Sequence, residues 1–223
     1  MGRPSAGYRN KAGDKLPGVT TICGVLAKPA LIQWAYKQGR EHELAHHQGK
    51  PSPAHLYDSV DKAAEIGTLA HECCEAIIRG TPMPQIPPDC QEKVERAVNE
   101  FRTWTEQSRV KIVETEVSLV SEQYQFGGTL DFICEIGGKL CLGDFKTSGG
   151  VYPEMLLQLA AYQQLWNEKN PGRQLSGDCY LLRMSKESAD FAWHKYGDLT
   201  EEWVAFGHLL RVYTLMKTIG KRA

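Results

Sequence analysis

No apolar run in this chain approaches the ~18 residues that a membrane-spanning helix needs. Met1 to Lys15 is polar and basic, without the hydrophobic centre of an export signal. Together these absences predict a soluble protein that stays in the reducing cytoplasm. A disulfide framework is missing too. The seven cysteines are odd in number and include no CxxC pair, so they read as reduced and mostly buried thiols. Strong net charge is lacking as well, at −1, but the balance is not local: residues 1–50 carry +5, residues 207–223 carry +4, and the stretch between them carries −10. Basic ends around an acidic centre suit a phosphate-backbone ligand held over a metal site, with solvated tails as the alternative.

What remains is a globular composition. The chain has 223 residues, 42% hydrophobic and 24% charged, enough for one domain with a sizeable core. We read a single domain over 1–223, with a basic arm and helices over 1–57, a catalytic core over 58–200 and a closing helix over 200–223.

The first eighteen residues read as a loose arm. A short helix capped by Thr20 or Thr21 follows, then one with Pro29 in its first turn and Leu31, Trp34, Ala35 and Leu44 as its apolar stripe. GKPSPAH, from Gly49 to His55, reads as a loop. Helical spacing predicts a helix over 59–79, stopped by Gly80 and Pro82, and another over 89–107 with Val94, Val98, Phe101 and Trp104 inward. The period then changes to two. Strands are predicted at 110–120, 124–136 and 139–147, a helix at 153–168, strands at 178–184 and 190–196, and a last helix at 200–219. That order predicts an α/β (α+β) fold, a central β-sheet flanked by helices.

The sharpest signal is GGTLDFICEIGGKLCLGDFKTS, residues 127–148. Gly137-Gly138 suits a two-residue hairpin turn, because both central positions can take φ > 0. Paired residues then have numbers summing to 275, and Asp131 falls opposite Asp144 with Ile133 and Leu142 on the same face. Leu130, Phe132, Cys134, Cys141 and Phe145 are expected on the other face, as core; Cys134 and Cys141 read as small core residues rather than a disulfide. Two facing carboxylates repel, and a divalent cation between them is the natural remedy; two surface aspartates are the alternative. Lys146 alternates onto the face of Asp144, where an ammonium could orient water or meet developing charge. On helix 59–79, Gly67, Ala70, His71 and Cys74 share a face, and the small residues would let it approach the sheet. His71 there is a ligand candidate or a satisfied core histidine.

GGTLDFI at 127–133, GDFKTS at 143–148, QLAAY at 158–162 and GTLAHECCE at 67–75 together resemble the PD-(D/E)XK nuclease superfamily, in particular its RecB-like branch. Asp131 matches the first acid, Asp144-Phe145-Lys146 the (D/E)XK element, Gln158 and Tyr162 the QxxxY, and Gly67 and His71 the upstream G-x-x-x-H. The match departs in one place: Gly128-Thr129-Leu130 stands where the proline of the superfamily's name would precede Asp131.

The resemblance implies a restriction-endonuclease-like core and a Mg²⁺- or Mn²⁺-dependent deoxyribonuclease. It assigns metal to His71, Asp131, Asp144 and the Phe145 carbonyl, and assistance of the nucleophile to Lys146. Glu116 takes an acidic position of the first core strand; apart from the resemblance, Glu75, one turn beyond His71, could assist the metal or simply hydrogen-bond. Gln158 and Tyr162, with Thr147 and Ser148 of the same motif, are assigned to substrate. No iron–sulfur cluster of the branch's four-cysteine layout is expected, since only Cys179 lies beyond residue 141. DNA is the implied partner, with ends favoured, in phage-type recombination, repair or DNA maintenance, as for a phage-encoded enzyme in a bacterial host; no membrane is implied. A non-catalytic binding module, a structure-specific endonuclease and a hydrolase of small phosphoesters are the alternatives. From charge alone, Arg9, Lys11, Lys15, Lys28, Lys37 and Arg40 are candidate phosphate contacts. No stretch marks an oligomer interface.

Overall fold

The computed structural model describes residue 4 and residues 6–26, 29–48, 58–184 and 191–222. Lys28 and the loop from Gly49 to His55 lie outside the described residues, as do the side chains of Leu31 and Trp34. A hairpin of β1 (Tyr8–Arg9) and β2 (Lys15–Leu16) leads into α1 (Val19–Cys23), α2 (Pro29–His47), α3 (Asp58–Arg79) and α4 (Gln91–Gln107). Then come β3 (Lys111–Ser121), β4 (Phe126–Ile136), β5 (Lys139–Thr147), α5 (Pro153–Lys169), β6 (Cys179–Met184), β7 (Phe191–Tyr196) and α6 (Thr200–Gly220).

β3 to β7 form one mixed sheet in sequence order. Neighbours are antiparallel except β5 and β6, which run parallel because α5 carries the chain back between them. Gly137 and Gly138, with φ of 59° and 77°, make the tight turn between β4 and β5. Pro153 opens α5 at a position where its missing N–H costs nothing. Gly80, at φ 63°, closes α3 in the left-handed region that ends many helices.

Helices cover both faces of the sheet. On one, Leu130, Ile133, Leu142 and Leu181 pack with Ile22 of α1, Leu159, Leu165 and Trp166 of α5, and Phe206 of α6. On the other, Phe132, Cys134, Cys141, Phe145 and Leu182 pack with Ala70 and Cys74 of α3 and with Val94, Val98, Phe101 and Trp104 of α4. Among the described residues no helix is long and apolar enough to cross a membrane.

Three local expectations need correction. Residues 8–16 are not a loose arm: they form the β1–β2 hairpin, and Tyr8 is buried against β4, where Gly127 leaves room for its ring. The Tyr8 hydroxyl lies 3.0 Å from Thr129 Oγ1, and Gly127 N donates to Pro17 O at 3.0 Å, which ties the segment to the sheet. Thr20 and Thr21 lie inside α1, which starts from Gly18 without a side-chain cap. Leu130 packs on the α5 side, beside Ile133, not on the face of Phe132.

Candidate metal centre

The register predicted from the glycine turn holds for five pairs, from Ile136↔Lys139 to Phe132↔Gly143, and then the ladder stops. Beyond that point β4 keeps β3 as its partner and β5 keeps β6, so the two strands part into a fork. Asp131 stands on one arm and Asp144 on the other. They do not form the expected ladder pair. Instead Phe145 N donates to Asp131 Oδ2 at 2.7 Å, a side-chain acceptor replacing the missing backbone one.

The pleat is broken at the same level. Glu116 lies opposite Asp131, between the pairs Thr115↔Phe132 and Val117↔Leu130, and has φ of 51°. A non-glycine residue in the left-handed region costs about 1–3 kcal/mol and collects at functional positions. Around it, successive residues turn to one side. Thr115 accepts from Arg79 Nε of α3 at 3.1 Å while Glu116 meets His71 of α3; on β4, Asp131 meets His71 while Phe132 joins the core under α4. Two residues in a row on each strand therefore face the α3–α4 layer, which is why Leu130 emerges on the opposite side.

His71 is brought to the fork by close packing. A Cβ on Gly67, one turn earlier, would overlap the Thr147 side chain at the end of β5, and Ala70 is buried. His71 Nε2 lies 3.8 Å from Glu116 Oε1 and 3.9 Å from Asp131 Oδ1. One ligand atom from each of the three lies within 4.8 Å of the others. Two carboxylates and an imidazole are a donor set for a divalent cation such as Mg²⁺ or Mn²⁺. Gly67→Val should push α3 from the sheet: we expect a loss of about 1–3 kcal/mol in stability from overpacking and weaker Mn²⁺ binding, read by thermal melts with and without Mn²⁺. An unchanged Mn²⁺-induced shift would show that this approach does not position His71.

Electrostatically the fork is crowded with acid. Burial, then Asp131 and Glu75, raise the Glu116 carboxyl above the usual range, against His71 and Arg79. Asp144 is buried with 1% exposure. Burial pushes its carboxyl up to about 6, Asp131 adds to this, and Lys146 and His71 oppose it. For Lys146, burial acts to lower the pKa, but Asp144 and Asp131 outweigh it and hold the ammonium above its ordinary value. Asp144 Oδ2 meets the Lys146 ammonium directly, in a buried ion pair. Asp144 is outside the trio of His71, Glu116 and Asp131.

Gln158 and Tyr162 are buried on α5. Burial, then Asp144 and Asp131, keep the Tyr162 phenol well above its ordinary pKa, and it bonds Thr20. Ser148 Oγ donates to Gly150 O at 2.7 Å. Lys37 and Arg40 are exposed on α2, and Lys37 Nζ lies 3.8 Å from Glu41 Oε1. Arg9 donates to Gly13 O within its own hairpin, at 2.6 Å, and Lys11 and Lys15 are exposed.

Sequence reasoning passed over Arg79. It pairs with Glu75, one turn before it on α3, and its bond to Thr115 sets it at the border of the fork. The i,i+4 acid–base spacing on that helix was the available signal. The Phe145 amide as the partner of Asp131 had no signal in the sequence.

A scan against family models gives no match, and neither does a search of curated proteins. Among solved structures, the chain is similar to a "Putative exonuclease" from Eubacterium rectale, at 13% identity and a TM-score of 0.47, covering 66% of this chain and 67% of that one. It is also similar to an alkaline exonuclease from Laribacter hongkongensis, at 16% identity and a TM-score of 0.33, covering 72% and 93%. The same exonuclease in complex with dAMP matches at 16% identity and a TM-score of 0.32, covering 73% and 92%. The chemistry of the fork rests on its own residues.

Proposed function

We propose that this chain is a single-domain, Mg²⁺- or Mn²⁺-dependent deoxyribonuclease of the RecB-like branch of the PD-(D/E)XK superfamily, acting from DNA ends inside the cell. The observation that carries this reading is the convergence of His71, Glu116 and Asp131 within 4.8 Å beside the buried Asp144–Lys146 ion pair. Like charges are gathered there at a cost. That cost fits a site made for a cation. His71, Glu116 and Asp131 would hold it, with Asp144 and the Phe145 carbonyl as the further ligands that the sequence resemblance implies.

A divalent ion bound there supplies an acidified water and screening of phosphate charge. The chain's own residues do the rest. Phe145 N fixes the Asp131 carboxylate by its hydrogen bond, leaving the second oxygen toward His71. Lys146, kept protonated by two acids, offers positive charge where a phosphorane-like transition state gathers negative charge. Tyr162 stays a neutral O–H donor at working pH, and with Gln158, Thr147 and Ser148 is assigned to the nucleotide and scissile phosphate. Lys37 and Arg40 are assigned to the DNA backbone beyond the site. Water adds to phosphorus, a P–O bond to the sugar breaks, and the leaving oxygen takes up a proton.

The preference for ends comes from the sequence resemblance, and one experiment tests both levels. Linear single- and double-stranded DNA labelled at one end, and a covalently closed circle, are incubated with Mg²⁺, Mn²⁺ or EDTA. We expect mononucleotides from the linear substrates with either metal, an intact circle, and no cleavage in EDTA. DNA binding that is equal with metal and with EDTA, without cleavage in any lane, would replace the nuclease with a binding module. A cut circle would make it an endonuclease.

A further inference from the structure

We propose that α6 is a self-association surface: it pairs antiparallel with α6 of a second copy of this chain, about a twofold axis between residues 211 and 212. This stands independently of the catalytic reading. The inner side of α6 is already used, with Phe206 fully buried and Trp203, Leu209, Leu210 and Tyr213 packed against the core. The outer side should then be polar. It is not. Val204, Val212, Leu215, Met216 and Ile219 are 51%, 43%, 43%, 60% and 53% exposed. At about 100° per residue these five fall within roughly one third of the helix circumference, a single stripe.

Charge at the two ends of that stripe says what covers it. Glu201 lies on it in the first turn. Arg222 lies on it just past the last turn, because Lys221, at φ −79° and ψ −11°, carries the helical course onward. Both are exposed, and neither makes an ion pair among the described residues. In an antiparallel pair whose residue numbers sum to 423, Glu201 meets the second copy's Arg222, Val204 its Ile219, His208 its Leu215 and Arg211 its Val212. Twofold symmetry makes each contact twice, so the patch is complementary to itself. A parallel pair would set Glu201 against Glu201 and Arg222 against Arg222. The antiparallel arrangement also opposes the helix dipoles favourably. A single helix seam buries less than the roughly 800 Å² per partner of a standard interface, so the dimer should be a weak one.

Sedimentation equilibrium of the full chain, from low to high micromolar concentration, tests the proposal. We expect a reversible monomer–dimer equilibrium. Met216→Asp should shift it to monomer with an unchanged circular dichroism spectrum, since the side chain is largely exposed. Glu201→Arg and Arg222→Glu should each raise the dissociation constant roughly tenfold, two exposed ion pairs being turned into repulsions. The double variant Glu201→Arg/Arg222→Glu should restore it, an outcome that loss of folding or of general hydrophobicity cannot mimic. A wild-type chain that stays monomeric throughout would overturn the proposal. So would charge reversals that each dimerise as well as wild type, or a double variant that fails to recover.

Discussion

Asp144→Ala should abolish metal-dependent cleavage, by about a thousandfold or more, the scale on which groups that meet charge in a transition state act, while leaving the protein folded. The two halves of this expectation come from one fact. Asp144 is buried with 1% exposure, and burial together with Asp131 holds its carboxyl up at about 6, against the opposing pull of Lys146. A raised acid contributes stability that is fully present below its unfolded pKa, near 3.8, and is lost as pH rises through about 6. At neutral pH the ionised carboxylate is therefore a burden on the metal-free fold, on the order of a few kcal/mol for a shift of this size. Its removal should not lower the melting temperature at pH 7.5, provided that Lys146, whose side chain keeps 19% exposure, turns its ammonium to water. Between pH 4 and 7 the wild-type melting temperature without metal should carry a downward component that the variant lacks. End-labelled DNA assays beside thermal melts check both. Full turnover in the variant would remove Asp144 from the chemistry, and a collapsed fold would show the residue to be structural.

Most of the architecture could be read before the structure because its signals are local. The diglycine at 137–138 sets a turn, and a turn sets a register; five pairs obey it. Pro153 and Gly80 mark the ends of helices where amide and φ requirements leave few alternatives. The failures are equally physical. Tyr8–Arg9 and Lys15–Leu16 are two-residue strands, too short for any period to show, and their stability comes from Tyr8 seated on Gly127, a contact between residues far apart in sequence. Strict alternation puts Leu130 on the face of Phe132, and alternation fails where Glu116 takes a positive φ opposite Asp131. No composition rule marks such a residue, since glutamate has no preference for that region.

The candidate site was legible to the same depth. Spacing and resemblance single out His71, Asp131, Asp144, Lys146 and Glu116, and the structure sets His71, Glu116 and Asp131 together, with the Asp144–Lys146 pair in the same fork. The glycine-turn register makes the two aspartates a closed ladder pair, whereas the strands part at that point. Repulsion is relieved by opening the sheet as well as by any ion. The bond from Phe145 N to Asp131 ties the two arms together across the opening, and His71 of α3 meets Asp131 from the β3–β4 side.

Lys146→Ala should also lose cleavage, by roughly 10²–10³-fold as when one donor to a developing charge is removed, but it should keep the metal. This separates the lysine's role from that of the acids. Lys146 is not among the ligand candidates; it is an ammonium held protonated by Asp144 and Asp131 against the opposing effect of burial. Without it, Asp144 loses the contact that most opposes its raised pKa, so its carboxyl should rise further and the metal-free fold should respond to pH over a higher window. Above that window the carboxylate, with no ammonium to compete for it, remains free for a cation. Mn²⁺ titration at pH 8 by calorimetry should therefore give an affinity at or above wild type, with turnover still lost. Loss of Mn²⁺ binding would mean that Lys146 organises the acids rather than the reaction, and retained cleavage would remove it from the mechanism.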